Sequence, residues 1–208
     1  MMTETAGKTK IREYHEWIQM RWLNEDNDTL PRVLLVGDSI VAGHGVMVHE
    51  ELKEKCCVDL FATSKHITDV LFMSDLEMML SRKKYELIIF NNGLHGMDIE
   101  DDLYAPALRE VLTYLKTITP NLAWRNCTPA IKWPAEGGVG EPNERSSRIL
   151  RRNADALKVV EELELPVIDL YSVIGHDPEM YSDGVHHSDA CKEIQVKILS
   201  DFISRYIK

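Results

Sequence analysis

The sequence predicts an α/β fold, a three-layer α/β/α sandwich around a five-stranded parallel sheet. From about residue 32 onward, short apolar runs alternate with longer amphipathic segments. A continuous apolar run is typical of a strand covered on both faces, and apolar residues three and four apart indicate one face of a helix. Unbroken alternation of the two favours parallel strands joined by right-handed crossovers. The length of 208 residues predicts one domain, with an N-terminal extension over 1–31 and a core over 32–208.

Each predicted strand is a run of aliphatic and aromatic residues, and each helix lies between two runs or after the last. The strands are predicted at 33–36, 58–62, 87–90, 122–127 and 167–170, and the helices at 41–55, 73–84, 100–119, 144–163 and 189–207. A further helix is predicted at 11–23, with Trp17, Ile18 and Trp22 on it. We expect this helix to pack on the sandwich or on a second copy of the chain, which would give a homo-oligomer.

Charge and cysteine usage narrow the class of protein. The chain carries 24 Lys and Arg against 34 Asp and Glu, a formal net charge of -10. Such a surface repels phosphate backbones and anionic lipid, so we expect neither nucleic acid nor a membrane as partner. Residues 1–10 carry no apolar run of the signal-peptide type, which predicts a cytoplasmic protein.

The cysteines (Cys56, Cys57, Cys127 and Cys191) lack metal-ligand spacing, and we expect inert thiols and no metal or cofactor.

The first chemical signal is Gly37-Asp38-Ser39-Ile40, directly after the first strand of the core and at the start of a helix. A serine at this point is presented at the carboxyl edge of the sheet, where the amides of a helix start can hold negative charge. Serine is also a common helix cap, so the pattern alone does not distinguish a nucleophile from a cap.

The second signal is Asp183-Gly184-Val185-His186, just before the last helix. A serine becomes nucleophilic when a neutral imidazole takes its proton, and that imidazole needs a partner on its other nitrogen. Asp183 and His186 can supply this pair from one loop, with Gly184 easing the turn. An acidic surface turn would look the same in isolation. The two loops can meet at one edge of the sheet, so together they predict a triad of Ser39, Asp183 and His186.

These two segments resemble the first and last sequence blocks of the SGNH (GDSL-like) hydrolase superfamily, and the likeness runs from about residue 32 to the C-terminus. The resemblance implies a flavodoxin-like fold and a serine esterase. Ser39 would be the nucleophile, His186 the general base and then acid, and Asp183 its orienting carboxylate. His187 is a rival base, and the Asp-x-x-His spacing of the family selects His186.

The middle blocks of the family match less closely. The third predicted strand is followed by Asn91-Asn92-Gly93-Leu94-His95-Gly96, which is similar to a subgroup with Gly-Leu-His in place of Gly-Thr-Asn. The resemblance implies an oxyanion hole formed by the Ser39 amide, an amide after the second strand, and a side chain of the third block. No glycine follows the second strand, so Ser64 is the predicted second donor. His95 is the predicted third, in place of the asparagine, with Asn91 or Asn92 bracing the loop or sharing that duty.

The substrate is predicted less directly. Related families include carbohydrate O-acetylesterases, which implies a small-molecule ester, with an acetyl group on a sugar or another polar alcohol. Asp38, Asn91 and Trp133 are the predicted substrate contacts; Trp133, in the Pro- and Gly-rich stretch 128–143, could stack on a sugar ring or simply bury itself. Two alternatives stay open, a metal-dependent phosphodiesterase using Asp183, His186, His187 and Asp189, and an inactive binding module on the same fold.

Overall fold

A computed structural model describes residues 15–133 and 138–207, and six strands of this part form one sheet. They are β1 (Ile18–Arg21), β2 (Arg32–Gly37), β3 (Cys57–Thr63), β4 (Leu87–Phe90), β5 (Asn121–Arg125) and β6 (Val167–Ile168). Strands β3-β2-β4-β5-β6 are parallel in that order, and β1 pairs antiparallel with the outer edge of β3. The five parallel strands have the flavodoxin-like order, and the predicted α/β fold is confirmed.

Helices cover both faces of the sheet. They are α1 (Ser39–Leu52), α2 (Phe72–Arg82), α3 (Tyr104–Ile118), α4 (Ser146–Glu162), α5 (Leu170–Ile174) and α6 (Asp189–Ile203). Alternate residues of β2 point to opposite faces: Val33 and Leu35 join the core formed with α1 and α6, while Leu34 and Val36 join the core formed with α2, α3 and α4. Within the described residues, no helix is long and apolar enough to cross a membrane.

The predicted N-terminal helix is wrong over its described part. Residues 18–21 form β1, which pairs with β3 from Ile18 opposite Thr63 to Arg21 opposite Leu60. Residues 11–14 lie outside the described residues. The signal for a strand was the alternation of Ile18, Met20 and Trp22, of which Met20 and Trp22 pack on the core with α2 and α3. The expected oligomer contact through a helix at 11–23 therefore loses its basis.

The last two parallel strands are shorter than their apolar runs predict. Strand β6 ends at Ile168 because Asp169 caps α5, accepting a hydrogen bond from the Ser172 amide at 3.0 Å. Strand β5 ends at Arg125, and the side chain of the next residue, Asn126, binds the start of α5, since its Oδ1 accepts from the Leu170 amide at 2.9 Å. These polar side chains end the ladder at the carboxyl edge and lead the chain into the loops that surround the site.

Candidate active site

The Ser39 hydroxyl lies at the carboxyl edge of the sheet, at the first residue of α1. The preceding residue, Asp38, caps this helix by accepting from the Ile40 amide at 2.9 Å. Ser39 is therefore not the cap, and its hydroxyl is free for other chemistry. A Cβ at Gly37 would lie 2.4 Å from Cγ2 of Val41, so glycine is required for β2 to turn this closely into α1.

The loop before α6 brings Asp183 and His186 to this serine. Nε2 of His186 lies 3.0 Å from Ser39 Oγ, and Nδ1 of His186 lies 2.7 Å from Asp183 Oδ2. The other carboxylate oxygen, Oδ1, accepts from the Val185 and His186 amides, both at 2.7 Å. A Cβ at Gly184 would lie 2.7 Å from the Ile131 carbonyl oxygen, so glycine lets this loop pack against the chain after β5. The structure thus brings the three predicted triad side chains into one hydrogen-bonded row.

Electrostatics keep the Asp183 carboxyl ionised. Partial burial acts to raise its pKa, but the hydrogen bonds from the His186 ring and from the His186 and Val185 amides outweigh this and leave the pKa below its ordinary value of 3.8. An ionised carboxylate here accepts the Nδ1 proton of His186 and leaves Nε2 bare toward the serine. This tautomer is the one required for proton abstraction from Ser39.

The neighbouring His187 points the other way. Its ring is buried, its Nδ1 lies 2.6 Å from Nε2 of Gln195, and burial followed by the nearby Arg125 guanidinium lowers its pKa to about 4. Successive residues in extended chain face opposite sides, and the short antiparallel bridge between Tyr181 and His187 places this segment in such a conformation. Of the two possible bases, His186 is the one that contacts Ser39.

The segment after β4 is held rigidly beside the serine. The Asn91 amide donates to the Val36 carbonyl at 3.0 Å, which extends the pairing of β2 with β4 up to the Ser39 turn. The buried Arg152 guanidinium of α4 donates to three carbonyl oxygens of this segment, those of Gly93 (2.9 Å), His95 (2.6 Å) and Gly96 (2.7 Å). Arg152 thereby fixes the backbone of this segment, and its Nε also lies 3.4 Å from Oδ1 of Asp101.

Two of the predicted oxyanion donors are already occupied. The Ser64 amide donates to the Trp17 carbonyl at 3.1 Å, and the Ser64 hydroxyl accepts from the Trp17 amide at 2.9 Å. This bond argues against Ser64 as an oxyanion donor, and it arises because the unpredicted pairing of β1 with β3 continues to this residue. The Asn92 carboxamide accepts from the Ile67 amide at 3.0 Å and donates to the Lys65 carbonyl at 2.9 Å, so it braces the loop after β3.

Two of the predicted substrate contacts are buried. Asn91 is fully buried, and its Nδ2 donates to the Arg125 carbonyl at 2.7 Å and to Cys127 Sγ at 3.3 Å. Asp38 is also buried and serves as the cap of α1. Both side chains are thus used by the fold at the ends of strands, which argues against a role in contacting substrate.

Trp133 and His95 are less enclosed. Trp133 is partly buried against the core formed with α1 and α6, and its role toward a substrate stays a prediction. His95 is half-buried, with its ring centroid 6.3 Å from that of Trp17 in an edge-on arrangement. The backbone carbonyl of His95 is held by Arg152, which fixes the position of this residue in the segment after β4.

No group of three or more His, Cys, Asp or Glu side chains that could hold a metal occurs within residues 15–133 and 138–207. Two of the side chains that the phosphodiesterase alternative needs as ligands, Asp183 and His186, bind each other and Ser39 instead.

Several buried polar residues around the site were not predicted. Arg152, Gln195 and His44 lie on the apolar stripes of α4, α6 and α1, each spaced three or four residues from a buried aliphatic, glycine or cysteine neighbour. A polar residue on the apolar face of an amphipathic helix is the sequence signal that could have identified them. The role of each of these polar residues becomes clear only from the structure, which shows its hydrogen-bond partner. That partner lies 57 residues away for Arg152–His95, 8 for Gln195–His187 and 151 for His44–Gln195.

Comparison with known proteins places the fold. No protein-family model matches the chain, and no curated protein matches it. Among solved structures, it resembles a lipase/acylhydrolase from Enterococcus faecalis, with 20% identity over 86% of this chain and 98% of that one, and a TM-score of 0.67. An acetyl xylan esterase, AlAXEase, matches with 16% identity over 83% and 99% of the two chains and a TM-score of 0.65.

A GDSL-like lipase from Bacteroides thetaiotaomicron matches with 17% identity over 84% of this chain and 88% of that one, at a TM-score of 0.62. A candidate SGNH hydrolase from Slackia heliotrinireducens matches with 16% identity over 84% and 100%, at a TM-score of 0.64. The resemblance inferred from the two end segments and these structural likenesses agree: this chain has the fold of the SGNH (GDSL-like) hydrolases.

Proposed function

We propose that the protein is a serine esterase that hydrolyses short-chain carboxylic esters, acetyl esters first, of a carbohydrate or another small polar alcohol. Ser39 is the nucleophile, His186 the general base and then acid, and Asp183 the orienting carboxylate. The single observation that carries the proposal is the row of hydrogen bonds from Ser39 Oγ through His186 to Asp183, at 3.0 and 2.7 Å. Binding alone would not require a base on the serine and a carboxylate on that base.

The reaction follows from this geometry. Nε2 of His186 takes the Ser39 proton as Oγ attacks the ester carbonyl carbon, and the carbonyl π electrons move onto oxygen. The tetrahedral intermediate collapses, the alcohol leaves with the proton held by His186, and an acyl-serine remains. A water molecule then repeats the sequence, releasing the acid and returning the proton to Ser39. Asp183 stays ionised throughout, because its hydrogen bonds hold its pKa low.

The oxyanion is stabilised by two groups in this proposal. The Ser39 amide is one of the first four amides of α1, which have no partner within the helix and carry the positive end of its dipole. His95 supplies the side chain, from the backbone segment that Arg152 fixes. Donors held in fixed positions stabilise the oxyanion more than mobile donors do, because they need no reorganisation as charge develops. Loss of one such donor typically lowers the rate about 10²–10³-fold.

A short acyl group is favoured by the apolar cluster beside the serine. Ile40, next to Ser39, packs with Leu94, Cys127, Ala130 and Ile149, all of them buried. An acyl chain that entered this packed cluster would have to displace side chains, which typically costs about 1–3 kcal/mol. A polar alcohol is supported by the structural likeness to an acetyl xylan esterase, whose name states its substrate class.

The test is hydrolysis of p-nitrophenyl acetate and of its butyrate and octanoate homologues by the wild-type protein and Ser39→Ala. The matched control is Ser147→Ala, which removes an exposed hydroxyl on α4. We expect Ser39→Ala to lose about 10³-fold or more of kcat, Ser147→Ala to match the wild type, and acetate to be preferred.

The alternatives give different results. Equal, slow turnover by folded wild type and Ser39→Ala would overturn the proposal in favour of a binding module. The phosphodiesterase would be favoured if the protein hydrolyses bis-p-nitrophenyl phosphate, if chelators abolish that activity, and if Ser39→Ala retains it. Sustained activity on octanoate would contradict the short acyl group while leaving the esterase in place.

A further inference from the structure

Three buried polar side chains form a continuous bridge beneath the active site. Nδ1 of His44 lies 2.7 Å from Oε1 of Gln195, and Nε2 of Gln195 lies 2.6 Å from Nδ1 of His187. Gln195 and His44 are fully buried, and His187 is nearly so. Buried polar groups are costly unless they are paired, so this bridge is an ordered feature of the core.

The bridge connects the two halves of the triad. His44 lies on α1, the helix that begins at Ser39, and His187 directly follows His186 in the loop that carries the base. Gln195 projects from α6, which packs against α1. One side chain therefore ties the nucleophile's helix to the base's loop, on the side of the loop opposite to the Ser39–His186 contact.

The chemistry of the bridge specifies an amide. Gln195 offers one acceptor toward His44 and one donor toward His187, so His44 carries its proton on Nδ1 and His187 presents a bare Nδ1. Both rings are neutral at physiological pH: burial, then the Arg125 guanidinium, lowers the pKa of His44 to about 3 and that of His187 to about 4. An apolar side chain of the same size would leave two buried ring nitrogens unpaired.

We propose that Gln195 is a positioning residue for the proposed esterase reaction: by bridging His44 and His187 it holds the His186 imidazole at hydrogen-bond distance from Ser39. The inference rests on the proposed function for its kinetic consequence. The loop has its own internal bonds, such as Ser182 amide to His186 carbonyl at 2.9 Å, but these hold its shape and do not fix its distance from α1.

The first test compares Gln195→Met with Val196→Ala. Methionine fills the same volume without the two hydrogen bonds, and Val196→Ala weakens the packing of the same helix without touching the bridge. We expect Gln195→Met to lower kcat about 10–100-fold on p-nitrophenyl acetate with KM little changed, as a shifted base does. Val196→Ala should lose stability and keep kcat. Equal kcat in the two variants would overturn the proposal.

A rescue separates positioning from packing. Gln195→Glu keeps the shape and can bond both rings, with His187 in its other tautomer, so it should turn over faster than Gln195→Met. Methionine as active as or more active than glutamate would contradict the proposal. If Gln195→Met does not fold, His44→Phe replaces it, since this change removes one bond of the bridge and leaves Gln195 in place; wild-type kcat in that variant would overturn the proposal.

Amide hydrogen exchange provides a readout independent of turnover. The Ser182 and His186 amides are bonded within the base loop. We expect both to exchange about tenfold faster in Gln195→Met than in the wild type, and to be unchanged in Val196→Ala. If the wild type hydrolyses no ester, the proposed function fails, and exchange alone decides whether Gln195 holds the loop. Unchanged exchange in Gln195→Met would overturn the inference while Ser39-dependent hydrolysis stands.

Discussion

Acid should destabilise this protein through His44, and the effect can be isolated with one substitution. Burial, assisted by the Arg125 guanidinium, lowers the pKa of His44 from 6.5 to about 3 in the folded state. The unfolded chain takes up a proton as the pH falls below 6.5, while the folded chain does not. The contribution of the neutral His44 ring to the stability of the folded state is therefore fully present above pH 6.5, and it is lost progressively as the pH falls toward 3.

The magnitude follows from the width of that window. A pH of 5 lies about 1.5 units below the ordinary pKa of the unfolded imidazole, and each unit is worth about 1.4 kcal/mol. His44 alone therefore lowers the free energy of unfolding at pH 5 by about 2 kcal/mol relative to pH 7.5. His187 acts in the same direction, because its pKa falls to about 4. Domains of this kind are stable by only about 5–15 kcal/mol, so the loss is readily measured.

The assay is urea unfolding of wild type and His44→Phe at pH 7.5 and pH 5. Phenylalanine removes the titration while keeping a ring of similar size, so constant costs of the substitution cancel in the difference between the two pH values. We expect the stability lost between pH 7.5 and pH 5 to be about 2 kcal/mol smaller in His44→Phe. Equal losses in the two proteins would refute the assignment of His44 as a buried, neutral imidazole.

Three further predictions concern the triad, the loop clamp and the packing of α1. Asp183→Asn should lower kcat about 10³–10⁴-fold by favouring the wrong His186 tautomer, with little effect on the urea midpoint because this side chain is half-exposed; kcat within tenfold of wild type would contradict its role. Arg152→Lys should cost about 2 kcal/mol or more in urea unfolding, because a single ammonium nitrogen cannot take the positions of the two guanidinium nitrogens that bind these three carbonyls; a loss below about 0.5 kcal/mol would contradict the clamp. Gly45→Ala should cost about 1–3 kcal/mol because its Cβ would lie 2.3 Å from Cδ2 of Leu60, whereas Gly43→Ala, on the same helix, would place its Cβ in ordinary contact 3.8 Å from Cε of Lys192 and should be neutral or stabilising. Equal stability of the two alanine variants would contradict the packing argument.

The candidate triad was predictable because its signals are local. Ser39 follows a buried apolar run, and Asp183 and His186 occupy one short loop, so each half can be recognised without knowing the fold. The alternation of strands and helices then predicts that both halves reach the same edge of the sheet. The structure adds the distances, and it agrees with the choice of His186 that the spacing of the family implies, since His187 is turned into the core.

The oxyanion donors and substrate contacts were predicted poorly because their roles depend on remote partners. The Ser64 amide is bonded to the carbonyl of Trp17, which directly precedes a strand that periodicity failed to identify. Asn91 binds the carbonyl of the last residue of β5, and Asn92 binds backbone of the loop after β3. A sequence shows which polar groups stand at a strand end, but not which of them the adjacent backbone will occupy.

The sequence by itself determined the parallel α/β sandwich and the two segments that carry Ser39, Asp183 and His186, since hydrophobic periodicity and short-range turn chemistry are encoded by neighbouring residues. Tertiary structure alone decided the antiparallel strand at the sheet edge, the Arg152 clamp and the Gln195 bridge. These features join residues far apart in the chain, and a buried polar side chain acquires a function only from the partner that the fold brings to it.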